Sequence, residues 1–179
     1  MRRPDVEVRN DLRGARRRGL VEWLALGGLA IKVYLLLILT RVIISVAPLR
    51  SITSRLGHFD RENESDDLSP QERRFAYRVG SMVRRLAPYT PTNSNCYPQA
   101  LTAWWLLTRR GIPSTYYYGA RFQPGGVGLD THVWLRSGNV IVTGGLVGPY
   151  KPLTRYAADR AFVDRNAGRR FRRSTGLIS

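Results

Sequence analysis

The longest apolar run in the chain is Leu20 to Val46, LVEWLALGGLAIKVYLLLILTRVIISV, interrupted only by the charges of Glu22, Lys32 and Arg41. A stretch of this length predicts one long helix, closed at Ala47-Pro48 because proline cannot continue a helix interior. At about 1.5 Å per residue it would reach about 40 Å, enough to cross a bilayer. Lys32, near the centre, opposes spanning by about 2.5–3.5 kcal/mol on insertion scales, which the flanking leucines can offset. The run is therefore expected as a core helix, with an interfacial or membrane-inserted helix as the open alternative. Ahead of it, Met1 to Gly19 is polar, contains RGARRRG at positions 13–19 and is expected to fray. No small-residue cleavage pattern follows the apolar run, which argues against a removable signal peptide.

After Pro48 the pattern shortens. Arg50 to Arg55 is a basic continuation, and Asp60 to Pro70 (DRENESDDLSP) reads as a charged linker. Ser69, Pro70 and Glu72 stand where an N-cap, an N1 proline and an N3 acid belong, predicting a helix from Pro70 to about Leu86. Ala87 to Asn95 is a Pro/Asn loop. From Cys96 to Arg110 the apolar positions Leu101, Trp104, Trp105 and Leu107 recur at helical spacing, and Gly111 suits the residue that ends the helix. Ser114 to Phe122 (STYYYGARF) is aromatic and predicts a strand. A Gly-rich loop follows, and then Thr131–Arg136 and Asn139–Val142 predict a hairpin about Ser137-Gly138. Ala157 to Asp164 is expected as a last short helix before an Arg-rich tail. No internal repeat is present.

Composition changes this picture in two ways. The chain has 179 residues, 43% of them hydrophobic, which suits one domain with a real core and excludes wholesale disorder. Its net charge is +16, which first suggests an anionic partner such as nucleic acid, a membrane surface or an acidic peptide. The charge is uneven: residues 1–72 hold 12 bases and 10 acids, residues 73–179 hold 17 bases and 3 acids. Arginine supplies 27 of the 29 bases, a bias that genome composition alone can produce. A nucleic-acid binder is not favoured, because no helix-turn-helix wording, RNP-type aromatic motif or zinc spacing accompanies the charge.

One cysteine, Cys96, and two histidines, His58 and His132, exclude an internal disulfide and a tetrahedral Cys/His zinc site. No metal and no cofactor are expected. Cys96 falls where a loop meets a helix, so its thiol would lie at the positive end of that helix, which favours the thiolate. The N–H groups of the same turn would stabilise an oxyanion on an attacked carbonyl. His132 lies on a strand 36 residues later. A Cys on a helix followed by a His on an antiparallel strand is the α+β layout of papain-like and transglutaminase-like thiol enzymes. From residue types alone, a buried structural Cys and a structural His remain the plainer alternative.

The wording around both residues narrows the choice. NCYPQALTAWWLLTRRGIPSTYYYGARF, a Gly-rich loop, then THVWLRSGNVIVTGG resembles the B-type proteins of lasso-peptide biosynthesis. These are leader peptidases with a transglutaminase-like cysteine-protease fold. Cys96, Ala100, Leu101, Trp104, Trp105, Arg109, Arg110, Gly111, Ile112, His132, Trp134 and Gly138 fit the pattern over about residues 80–155. The resemblance implies Cys96 as nucleophile and His132 as general base and acid in a cytoplasmic enzyme. Its expected partners are the leader region of a precursor peptide, a separate leader-recognition protein and an ATP-dependent cyclase. Membrane association through residues 20–46 stays open. The expected organisation is a basic arm with the apolar helix over 1–59, a linker over 60–72, and the peptidase core with its tail over 73–179. The segment before Arg73 is too short and wrongly patterned for a fused recognition module, so a stand-alone peptidase is expected.

The chain departs from the family at the third catalytic member. An acid normally follows the His by about a dozen residues, where this chain reads Val142-Thr143-Gly144-Gly145. Asp130, two residues before His132 on the same strand face, is the leading candidate orienter. Asp159, Asp164, the amide of Asn139, or a dyad with backbone support are the alternatives.

Overall fold

A computed structural model describes residues 4–166 apart from 64–67, 92, 93, 124 and 127, with residues 4–22 described by backbone alone. The arm expected to fray is instead the beginning of α1, which runs Pro4–Val46. The Arg-rich tail from residue 167 lies outside the described residues. From Trp23 to Val46 the helix is long and apolar enough to cross a membrane, with 22% of that window buried. Its second half packs on the rest of the chain: Val33 and Leu37 are fully buried, with Leu36 and Thr40 nearly so. Trp23, Leu24 and Ile31 point outward, while Leu29 already packs against the core.

Pro48 starts a short helix, α2, over Leu49–Thr53, and a two-residue strand β1 follows at His58–Phe59. Helix α3 is Pro70–Leu86. Ser69 accepts from the Glu72 N–H at 3.3 Å while the Glu72 carboxylate accepts from the Ser69 N–H at 2.8 Å, a reciprocal cap that satisfies two otherwise orphaned donors. Ala76, Val79, Gly80 and Val83 form the buried stripe of α3, at the spacing of one helix face. The Glu72 carboxyl is held below its ordinary range, chiefly by its hydrogen bond from Arg160. Stability from this group is present above about pH 4.5 and lost as the pH falls through the lowered folded value. Ser69→Ala is expected to cost about 1 kcal/mol at pH 7 and less near pH 3, where wild type has lost part of the same cap; urea titrations at the two pH values check this.

A single 3₁₀ turn, Ala87–Tyr89, leads into the loop before α4, Cys96–Thr108. Gly111 then turns with φ +70°, a conformation that favours glycine and releases the chain into the sheet. Strands β2 (Ser114–Phe122), β3 (Leu129–Ser137), β4 (Val140–Thr143) and β5 (Lys151–Ala158) join β1 in one antiparallel sheet of order β1-β5-β2-β3-β4. Ala157 and Ala158, expected to open the last helix, instead end β5, and the helix occupies residues 160–166. The architecture is α+β. Helices α1, α3 and α4 bury Tyr116, Val133, Leu135, Val140 and Val142 of the sheet in one core.

Two further ties matter for the site. The Thr40 hydroxyl of α1 lies 3.0 Å from the Thr102 hydroxyl and donates to the Pro98 or Leu37 carbonyl, so α1 and the first turns of α4 share a buried polar contact. Asp60–Asn63, the start of the charged stretch, lies on the sheet. The Asn63 amide donates to the carbonyls of Ser114 and Ala158, and Glu62 pairs with Arg136 and Arg155. Residues 64–67 lie outside the described residues.

Candidate active site

Cys96 is the first residue of α4 and is half-buried. Asn95 takes the N-cap position without its side chain capping the helix, so the first N–H groups of α4 are not capped by that residue. The approach is fixed from below. The Thr90 and Ser94 hydroxyls are 2.9 Å apart, and the Gln99 amide donates to the Ser94 carbonyl at 2.8 Å. Pro98 fits the first turn because an N–H there would have no helical partner.

His132 lies on β3 opposite Gly119 of β2. A Cβ at Gly119 would sit 2.7 Å from the Trp134 ring, so the glycine leaves room for that indole on the strand face. His132 and Trp134 share this face, and their ring centroids are 6.1 Å apart at 22°. On the other side the Tyr150 ring lies 4.7 Å from the imidazole. His132 Nε2 is 2.7 Å from the carbonyl oxygen of Gly144. A carbonyl can only accept, so Nε2 carries the hydrogen and the lone pair of the neutral ring is at Nδ1.

Tyr150 ties the imidazole to Asp130. Its phenol is raised above the ordinary range, first by its hydrogen bond to Asp130, then by desolvation, with the Cys96 thiol contributing last. Cys96 itself packs at the margin of the helical core that holds Val133 and Leu135, the β3 residues that alternate with His132 and Trp134. The thiol also adds, after burial and Tyr97, to the upward shift of the buried Tyr116 phenol.

Asp130 shares the strand face of His132, but its hydrogen bonds go elsewhere. Oδ2 accepts from Tyr150 at 2.9 Å and from Arg121 Nε at 2.9 Å, and the carboxyl is held below its ordinary value by these two bonds in that order. Asp130 thus holds Tyr150 over the imidazole instead of bonding the imidazole. The other candidates lie at the far end of the sheet. Asp159 follows Ala158, which pairs with Ser114, five residues along β2 from Gly119 and about 17 Å at strand spacing. Asp159 faces His58 at 3.5 Å, and Asp164 lies beside Gly111. Asn139 occupies the hairpin turn beyond the Thr115–Arg136 pair. Sequence patterning points to neither Tyr150, a loop residue, nor Gly144, whose contribution is a backbone atom.

Asp130→Asn keeps an acceptor for the Tyr150 hydroxyl and is expected to lower turnover by less than ten-fold. Removing a carboxylate that orients the imidazole directly costs about 10⁴-fold, so steady-state kinetics separate the two roles.

Among the described residues, no group of three or more His, Cys, Asp or Glu side chains is placed to hold a metal ion. A family model described as transglutaminase-like superfamily matches residues 37–156, more than half of the chain and including Cys96, His132 and Gly144. No curated protein and no solved structure matches the chain.

Proposed function

This chain belongs to the transglutaminase-like superfamily, and from that membership we propose that it is a cysteine peptidase that removes the leader from a ribosomally made lasso-peptide precursor. The observation that carries the chemistry is the thiol of Cys96 at the head of α4, in a chain whose strand β3 carries an imidazole with its Nε2–H already engaged. The lasso-peptide assignment rests on the resemblance of the segments around Cys96 and His132.

In this reading His132 takes the thiol proton at Nδ1, and the Cys96 sulfur attacks the carbonyl at the leader–core junction. The first N–H groups of α4 receive the developing oxyanion. The C–N bond breaks as His132 returns the proton to the leaving amine, releasing the core peptide and leaving a leader thioester on Cys96. Water, deprotonated by the same imidazole, cleaves the thioester to leader carboxylate and free thiol. A separate ATP-dependent cyclase would then join the freed amine to a side-chain carboxyl of the core. A separate recognition protein presents the leader, and the basic half of the chain favours an acidic one. Association with a membrane surface fits the same reading, since Trp23, Leu24 and Ile31 project from α1.

The test is incubation of the full chain with precursor and recognition protein, followed by mass spectrometry. Leader and core fragments are expected from wild type and not from Cys96→Ala. Equal fragments from both proteins would overturn the reading.

A further inference from the structure

We infer that the third member of the catalytic group is a backbone atom: the carbonyl oxygen of Gly144 takes the orienting place that an acidic side chain would fill. The inference rests on the peptidase reading and assigns a positioning role within that site. Gly144 follows β4 directly and is twelve residues after His132, and its oxygen lies 2.7 Å from His132 Nε2.

Three features show that this carbonyl is held in place. The residue has φ +103°, a conformation that favours glycine. A Cβ there would overlap Cβ of Trp134 and come within 3.3 Å of His132 Nε2 itself. The adjoining strand is anchored on the helical side, where Arg84 of α3 donates to the Val142 carbonyl at 2.9 Å. The same crowding explains the absent acid, because an aspartate at position 144 would have to displace Trp134 before its carboxylate reached the ring.

The chemical consequence is specific. A carboxylate both orients an imidazole and stabilises the imidazolium by its charge, whereas a carbonyl supplies a dipole only. Gly144 therefore fixes the Nε2–H tautomer and the ring plane, with Trp134 and Tyr150 as walls, and leaves Nδ1 as the one nitrogen able to take the thiol proton.

The experiment has two readouts, neither of which needs the precursor. In ¹⁵N-labelled full-length wild type, two-bond ¹H–¹⁵N spectra are expected to show His132 as the Nε2–H tautomer with a slowly exchanging ring proton, assigned by its loss in His132→Ala. An Nδ1–H pattern, or a ring proton in fast exchange, would overturn the inference. Because Cys96 is the single cysteine, iodoacetamide reports on this thiol alone. Gly144→Ala is expected to release the ring proton to exchange and to slow alkylation at pH 7 by about ten-fold, the order of the loss when an imidazole's outer hydrogen-bond partner is removed. A folded Gly144→Ala with wild-type alkylation at every pH would refute the role. If that variant does not fold, the wild-type ring proton decides. Failure of the peptidase reading appears separately, as precursor cleavage that survives Cys96→Ala.

Discussion

Cys96→Ala and His132→Ala are each expected to lower the first-order rate of precursor cleavage by at least about 10³-fold, and the double variant by no more than the worse single one. The sharing follows from the chemistry. Without the thiol the imidazole has no proton to accept, and without the imidazole the leaving amine has no proton donor. What survives in either variant is the contribution of the α4 N–H groups and substrate binding. Single-turnover kinetics with enzyme in excess measure all three variants, and multiplicative losses would show that the two residues do not act as a unit. Folding is not at stake in Cys96→Ala, because the half-buried side chain loses one sulfur atom from the margin of the core.

Gly80→Ala is expected to be the most damaging small substitution far from the thiol. A Cβ at Gly80 would overlap the carbonyl oxygen of Val142, the atom that Arg84 grips from one turn further along α3. Either α3 or β4 has to move. Overpacking of this kind costs about 1–3 kcal/mol, which for a chain of this size lowers Tm by roughly 2–12 °C. The effect should reach the site as well, since β4 delivers the chain to Gly144 two residues after Val142. Thermal unfolding and the iodoacetamide rate on Cys96, measured together, check both parts. A variant as stable and as reactive as wild type would mean that α3 and β4 are not in close contact.

The features that side chains encode were legible in the sequence. Ser69, Pro70 and Glu72 announced α3, Gly111 announced the end of α4, and the aromatic run 114–122 announced β2. The placement of Cys96 at a helix head and of His132 on a strand followed from the same signals. What stayed hidden is carried by backbone. Strand β5 has exposed Lys151, Pro152 and Leu153 at its start, so no apolar alternation marks it, yet it pairs with both β1 and β2. Pro152, which lacks an N–H, falls where the register with β2 shifts, a place that tolerates it. The partner of His132 was hidden for the same reason: a search for an acid finds Asp130, whereas the group bonded to the ring is the carbonyl of Gly144.

The most direct measurement is the intact mass of the enzyme after rapid acid quench during cleavage of a precursor presented by its recognition protein. The thioester mechanism requires a transient species heavier than the free chain by the leader mass less one water, located on Cys96 by peptide mapping and absent from Cys96→Ala. Leader released at the wild-type rate with no adduct at any quench time, or an adduct on another residue, would contradict nucleophilic catalysis by Cys96.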